Sequence, residues 1–140
     1  MNIDVIERSL EIAGGRGEDL TFRVYLRLFA AHPEMEALFI RDTNGSVRGE
    51  MLARVFELIL DFIDRRAYAT RMIQCEVITH EGYGVPPDVF GIFFSTVADA
   101  LKESLGADWT ADMDTAWRDL VGKMVWFSTH PDQAIEAGIG

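Results

Sequence analysis

The sequence predicts an all-α fold of six to seven helices in one domain spanning residues 1–140. Apolar side chains recur at spacings of three and four, the repeat that lines one face of a helix. No segment sustains the alternation of a half-buried strand, and clusters of Gly, Pro, Asp and Asn divide the chain at helix-length intervals. No internal repeat, low-complexity tract or linker separates one part from another.

The first helix is expected from about Ile3 to Ala13, stopped by Gly14, Gly15 and Gly17. A second runs from about Glu18 to Ala31, with Phe22, Tyr25, Leu26 and Phe29 on one stripe. His32-Pro33 ends it, because the residue before proline avoids helical geometry. Pro33 then suits the first turn of a short helix to Leu38, with Phe39 at its end.

Asp42 to Ser46 is turn and cap chemistry. The long helix that follows, about Val47 to Asp64, has the stripe Arg48, Leu52, Val55, Ile59 and Phe62, and Arg65-Arg66 suits the negative end of its dipole. Ala69 to His80 makes a shorter helix, stopped by Gly82 and Gly84. Pro86-Pro87-Asp88 opens a helix to Leu105, with Phe90, Phe94, Val97, Leu101 and Leu105 inward. Thr110 caps the last helix, whose buried stripe is Met113, Trp117, Leu120, Val121, Met124 and Phe127. Pro131 ends or kinks it, and the tail to Gly140 is expected to be loose.

Composition narrows the function classes. Hydrophobic residues at 49% and charged residues at 26% are the balance of a globular core, not of a disordered chain. A net charge of −10 repels phosphate backbones and anionic lipid, so neither nucleic acid nor a membrane surface is an expected partner. The lone Cys75 cannot form an internal disulfide, the start of the chain lacks the pattern of a secretion signal, and no apolar run approaches a membrane span. A cytoplasmic protein is expected. Zinc and phosphate-loop patterns are absent, and the glycine cluster at Gly14 to Gly17 lacks the Lys-Ser/Thr of a phosphate loop.

Three segments carry a resemblance. Val24-Tyr25-Leu26-Arg27-Leu28-Phe29 leads through His32-Pro33-Glu34-Met35 to Leu38-Phe39, and His80-Glu81-Gly82-Tyr83-Gly84-Val85 leads to Pro86-Pro87-Asp88. Ala100 to Thr110 is followed by Ala116-Trp117. In this order and spacing they resemble the bacterial globins, including the haem domain of flavohaemoglobins, over about Phe22 to Phe127. The resemblance implies a globin-like fold and a haem b whose iron takes one imidazole ligand and leaves its other face open to gas.

By residue type alone, His80 is either a helix-ending histidine bonded to a carbonyl or a ligand; the resemblance selects it as the iron ligand. His32 and His130 read as helix-boundary residues. Phe39 matches the family's aromatic that packs on the haem. Tyr25 matches the distal tyrosine that donates to a bound gas, the plainer alternative being a core tyrosine bonded to a helix carbonyl. Leu52 matches the apolar residue over the ligand. Arg48 or Gly49 takes the position usually held by Gln or His; the arginine would reach the ligand, pair with a propionate or face water. Val55, Ile73, Val77, Tyr83, Val85, Phe90 and Val97 are candidates for the apolar lining or for plain core.

The flavohaemoglobin pattern of a Tyr and a Glu around the proximal histidine is missing, with Phe90 at the first position and the second at or near Ala134. The sequence also lacks a dinucleotide fingerprint, so nitric oxide oxidation would need a separate reductase. The leading expectation is reversible binding of O2 or NO at ferrous iron. The alternatives are an NO dioxygenase or peroxidase-like enzyme using an external reductase, and a haem-free sensor or interaction module. A homodimer through the last two helices is expected by analogy alone.

Overall fold

The computed structural model describes residues 2–64 and 69–130. Among the described residues there are six α-helices and no strands. They are α1 (Ile3–Arg16), α2 (Thr21–Ala31), α3 (Ser46–Ile63), α4 (Ala69–Gly82), α5 (Pro87–Leu105) and α6 (Ala111–Thr129). Two 3-10 segments, Pro33–Phe39 and Gly106–Asp108, form the corners after α2 and α5. The expectations for Arg65, Arg66, Pro131, Ala134 and the tail lie outside the described residues.

Local chemistry sets the helix ends. Asn2 accepts a bond from the Val5 N–H at the start of α1, and Thr110 accepts one from the Met113 N–H at the start of α6. Asp42 reaches forward to α3, accepting from the N–H groups of Val47 and Arg48, each at 3.0 Å. The first helix runs past Gly14 and Gly15 and stops at Gly17, where φ is +66°, a left-handed turn that glycine adopts without strain. Two consecutive glycines weaken a helix without ending it; the backbone needs the left-handed residue to turn away.

Helices α5 and α6 form the most extensive pairing, and α1, α2 and α4 pack around them. The shared core includes Phe94, Val97 and Leu101 from α5, Trp117, Leu120 and Met124 from α6, and Ile6 from α1. Trp117 donates its indole N–H to Ser9 Oγ at 2.8 Å, and Ser9 donates in turn to the Ile6 carbonyl at 2.6 Å. This buried chain of bonds lets a large ring cross between α6 and α1 with its polar atom satisfied.

Charged groups fasten the second corner. Arg16 donates to the carbonyl of Ser104 at 2.8 Å and of Leu105 at 3.3 Å, groups left open at the end of α5. It also pairs with Asp108. Arg23 pairs with both Glu18 and Glu103, and Arg27 with Glu103, linking α2 to α5.

One stripe is turned relative to expectation. On α2 the buried residues are Val24, Tyr25 and Leu28, whereas Phe22 is 74% exposed and Leu26 is 58% exposed. The helix buries the neighbouring row; Tyr25 belongs to both, and Phe29 of the expected stripe is partly buried against the core.

Candidate haem cavity

An apolar cavity opens between α2, the first corner, α3, α4 and α5. Its volume is about 110 Å³, below the roughly 300–1,000 Å³ typical of small-molecule sites, and its mouth is open to solvent. Six of the residues singled out from sequence meet on its wall: Tyr25, Phe39, Val55, His80, Val85 and Phe90.

His80 stands in the last turn of α4 with its ring 5.0 Å from that of Phe90. Its Nδ1 lies 2.7 Å from the Glu76 carbonyl oxygen. A carbonyl only accepts, so in this bond Nδ1 carries the proton, and in the neutral ring the lone pair is on Nε2. A helix-ending histidine bonded to a carbonyl and a histidine prepared for ligation therefore coincide in one geometry. The Glu76 carboxylate is also close, with Oε2 at 3.6 Å from Nδ1.

Tyr25 sits in the middle of α2 against Phe29, Phe39 and Phe93, with ring centroids 5.7, 5.3 and 5.6 Å away. It is 2% exposed, and its hydroxyl has no hydrogen-bond partner among the described residues. Burial raises its pKa well above the ordinary phenol value, against a lowering by the positive charge of Arg48; Asp42 adds to the rise. The group is thus a neutral donor. A buried hydroxyl without a partner is unfavourable, and such exceptions point to a missing ligand or to function.

The other expected residues lie elsewhere. Leu52 is buried and lines a second groove with Leu10, Leu20 and Leu101, and Val77 is packed in the main core. Tyr83 is 71% exposed. Ile73 and Val97 are fully buried in the core. Arg48 and Gly49 lie on a further groove that shares Tyr25 with the cavity. Arg48 Nε bonds the Asp42 carboxylate at 3.0 Å, and its Nη2 bonds the Asp42 carbonyl at 2.9 Å.

The long helix has two apolar rows. Leu52, Ile59 and Phe62 enter the core, while Met51, Val55 and Leu58 face the cavity. Successive residues lie about 100° apart on a helix, so a one-residue change in the assumed row swaps one face for the other. The helical spacing of Met51, Val55 and Leu58 is the signal by which the second row could have been found. Sequence reasoning also missed Arg54 and Glu76, which line the cavity and pair with each other at 3.4 Å. Helices α3 and α4 bring them together from 22 residues apart, and no local pattern announces such a contact.

Comparison with known proteins agrees with this architecture. The Globin family model matches residues 23–126. A flavohemoprotein of Bacillus subtilis is 26% identical over 122 residues, covering 86% of this chain and 30% of that protein. A flavohemoprotein of Rhizobium meliloti is 24% identical over 124 residues, again 86% of this chain and 30% of the relative. One of Halalkalibacterium halodurans is 23% identical over 116 residues, 82% and 28% respectively. The chain therefore spans less than a third of the length of these curated relatives. With the family model covering most of the chain, the helices in the expected order and the cavity between them, this protein belongs to the globin family.

Proposed function

We propose that the cavity binds haem b, with His80 as the protein ligand to iron, and that the protein reversibly captures a diatomic gas, O2 or NO. One observation supports this above the others: a buried, unpartnered phenol and an imidazole with a free lone pair share one apolar cavity. Bound haem supplies an iron centre with an open position for a diatomic ligand.

The chain's own residues account for the rest. The Nδ1–H bond to the Glu76 carbonyl fixes the ring orientation and tautomer of His80. Phe39, Val55, Val85 and Phe90 give a wall that excludes water and suits a flat apolar ring system. Tyr25 offers its hydroxyl as a donor to a polar ligand atom, which would satisfy the group. Arg54 is the one arginine or lysine on the wall among the described residues, and at 59% side-chain exposure it stands where the wall meets solvent. Similarity to flavohemoproteins makes a separate flavin reductase the partner to test for an NO-consuming role.

Titration of the purified chain with hemin tests the proposal. A Soret band is expected in the native chain and is expected to be lost or strongly weakened in His80→Ala. Equal, tight haem uptake by both proteins would overturn the assignment of His80. No uptake by the native chain would overturn the haem reading.

A further inference from the structure

Glu76 has two partners, and they sit on different helices. Its Oε1 lies 3.4 Å from Arg54 Nη1 of α3, and its Oε2 lies 3.6 Å from Nδ1 of His80, one turn along α4. All three side chains line the same cavity. The two carboxylate oxygens are thus divided between a guanidinium that is always charged and the imidazole proposed to hold iron.

The arrangement has a direction. A negative charge beside the N–H of an imidazole pushes electron density through the ring toward its other nitrogen. A positive charge on the far side of the same carboxylate draws part of that effect away. The backbone bond from Nδ1 to the Glu76 carbonyl already orients the ring. The side chain is therefore free to tune the ring without being needed to aim it.

We propose that Glu76 is a positioning residue for the iron ligand: its carboxylate makes His80 a stronger electron donor, and Arg54 sets how much of that charge His80 feels. This rests on the haem reading above.

The experiment uses the haem-loaded full chain, in its ferrous form without added gas. Resonance Raman reads the iron–histidine stretching band, and spectroelectrochemistry reads the Fe(III)/Fe(II) midpoint potential. Glu76→Gln is expected to lower the stretching frequency and raise the potential. Arg54→Met is expected to move both in the opposite sense, since the carboxylate is then left to His80 alone. A purely structural role for the pair would not give shifts of opposite sign. An unmoved band in Glu76→Gln, or shifts of the same sign in both variants, overturns the proposal. Should Glu76→Gln fail to hold haem, Arg54→Met decides alone: a higher frequency supports the proposal, and an unchanged or lower one overturns it. Absence of a Soret band in the native chain sinks the haem reading itself. A Soret band with an unresponsive stretching mode sinks only the role of Glu76.

Discussion

Arg48 is held by Asp42 on both sides of that residue, through the carboxylate at 3.0 Å and the main-chain carbonyl at 2.9 Å. The same carboxylate accepts from the N–H groups of Val47 and Arg48. The corner before α3 is therefore closed by one acid that caps the helix and fastens its first cation. Taken alone, burial would raise the pKa of Asp42; the backbone donors and the guanidinium outweigh it and hold the group below its ordinary value of 3.8.

The sign of the pH dependence follows. The folded state binds the Asp42 proton less readily than the unfolded chain does, so its contribution is intact above pH 3.8 and is lost as the pH falls through the lower folded value. Asp42→Asn keeps a capping oxygen and removes the titration. Urea unfolding at pH 6 and pH 3 should show a larger loss of stability for the native chain than for Asp42→Asn. Equal losses would mean that the carboxylate's charge is unimportant to the corner.

A second prediction concerns the bond between Trp117 and Ser9. Both residues are fully buried, and the indole N–H donates to the serine oxygen at 2.8 Å. Ser9→Ala removes the acceptor and leaves the N–H without water or protein to receive it. The expected destabilisation is about 1–3 kcal/mol in chemical denaturation. Trp117→Phe removes the donor and should cause much less added loss in the Ser9→Ala background than in the native one. Additive losses would show that the two residues do not depend on each other.

These cases mark what could be read from sequence. The helices were legible because their caps, glycines and prolines are local signals, and Thr110, Asp42 and Pro87 all act within a few residues of themselves. The resemblance singled out His80, and the structure places it on the cavity wall. Rotation about a helix axis was not. Phe22 and Leu26 share the spacing of a buried row with Tyr25 yet face solvent, because Val24 and Leu28 offer an equally good row about 100° away. Periodicity states that a face exists; only the packing partner decides which one it is. The pairs Trp117–Ser9 and Arg54–Glu76 depend on tertiary contact and have no signature in either local segment.

The third prediction separates stability from function at Tyr25. Its hydroxyl is buried without a partner, so Tyr25→Phe removes an unfavourable group while keeping the ring against Phe29, Phe39 and Phe93. The haem-free variant should be at least as stable as the native chain, with a gain of up to about 1–3 kcal/mol. On the proposed haem reading, the loaded variant should release O2 faster, since it loses the hydroxyl proposed to donate to the bound gas. A clear loss of stability in the haem-free variant would show that the hydroxyl is satisfied in solution.

The fourth prediction tests the packing of α5 against α6. Gly91 is buried within α5, and a Cβ at this position would stand 3.4 and 3.6 Å from the two Val125 methyls and 3.7 Å from the Ser128 Cβ. Those are ordinary contact distances, so a single methyl fits without displacing α6. Alanine is better than glycine in a helix interior by about 1 kcal/mol. Gly91→Ala should therefore raise stability by up to that amount. Gly91→Leu presses a much larger side chain on Val125 and Ser128 and should lower stability by about 1–3 kcal/mol through overpacking. The two variants differ only in the volume pressed on Val125 and Ser128, and their opposite signs in thermal unfolding would measure how closely the helices meet. Destabilisation by alanine as well would place α6 nearer to α5 than these distances allow.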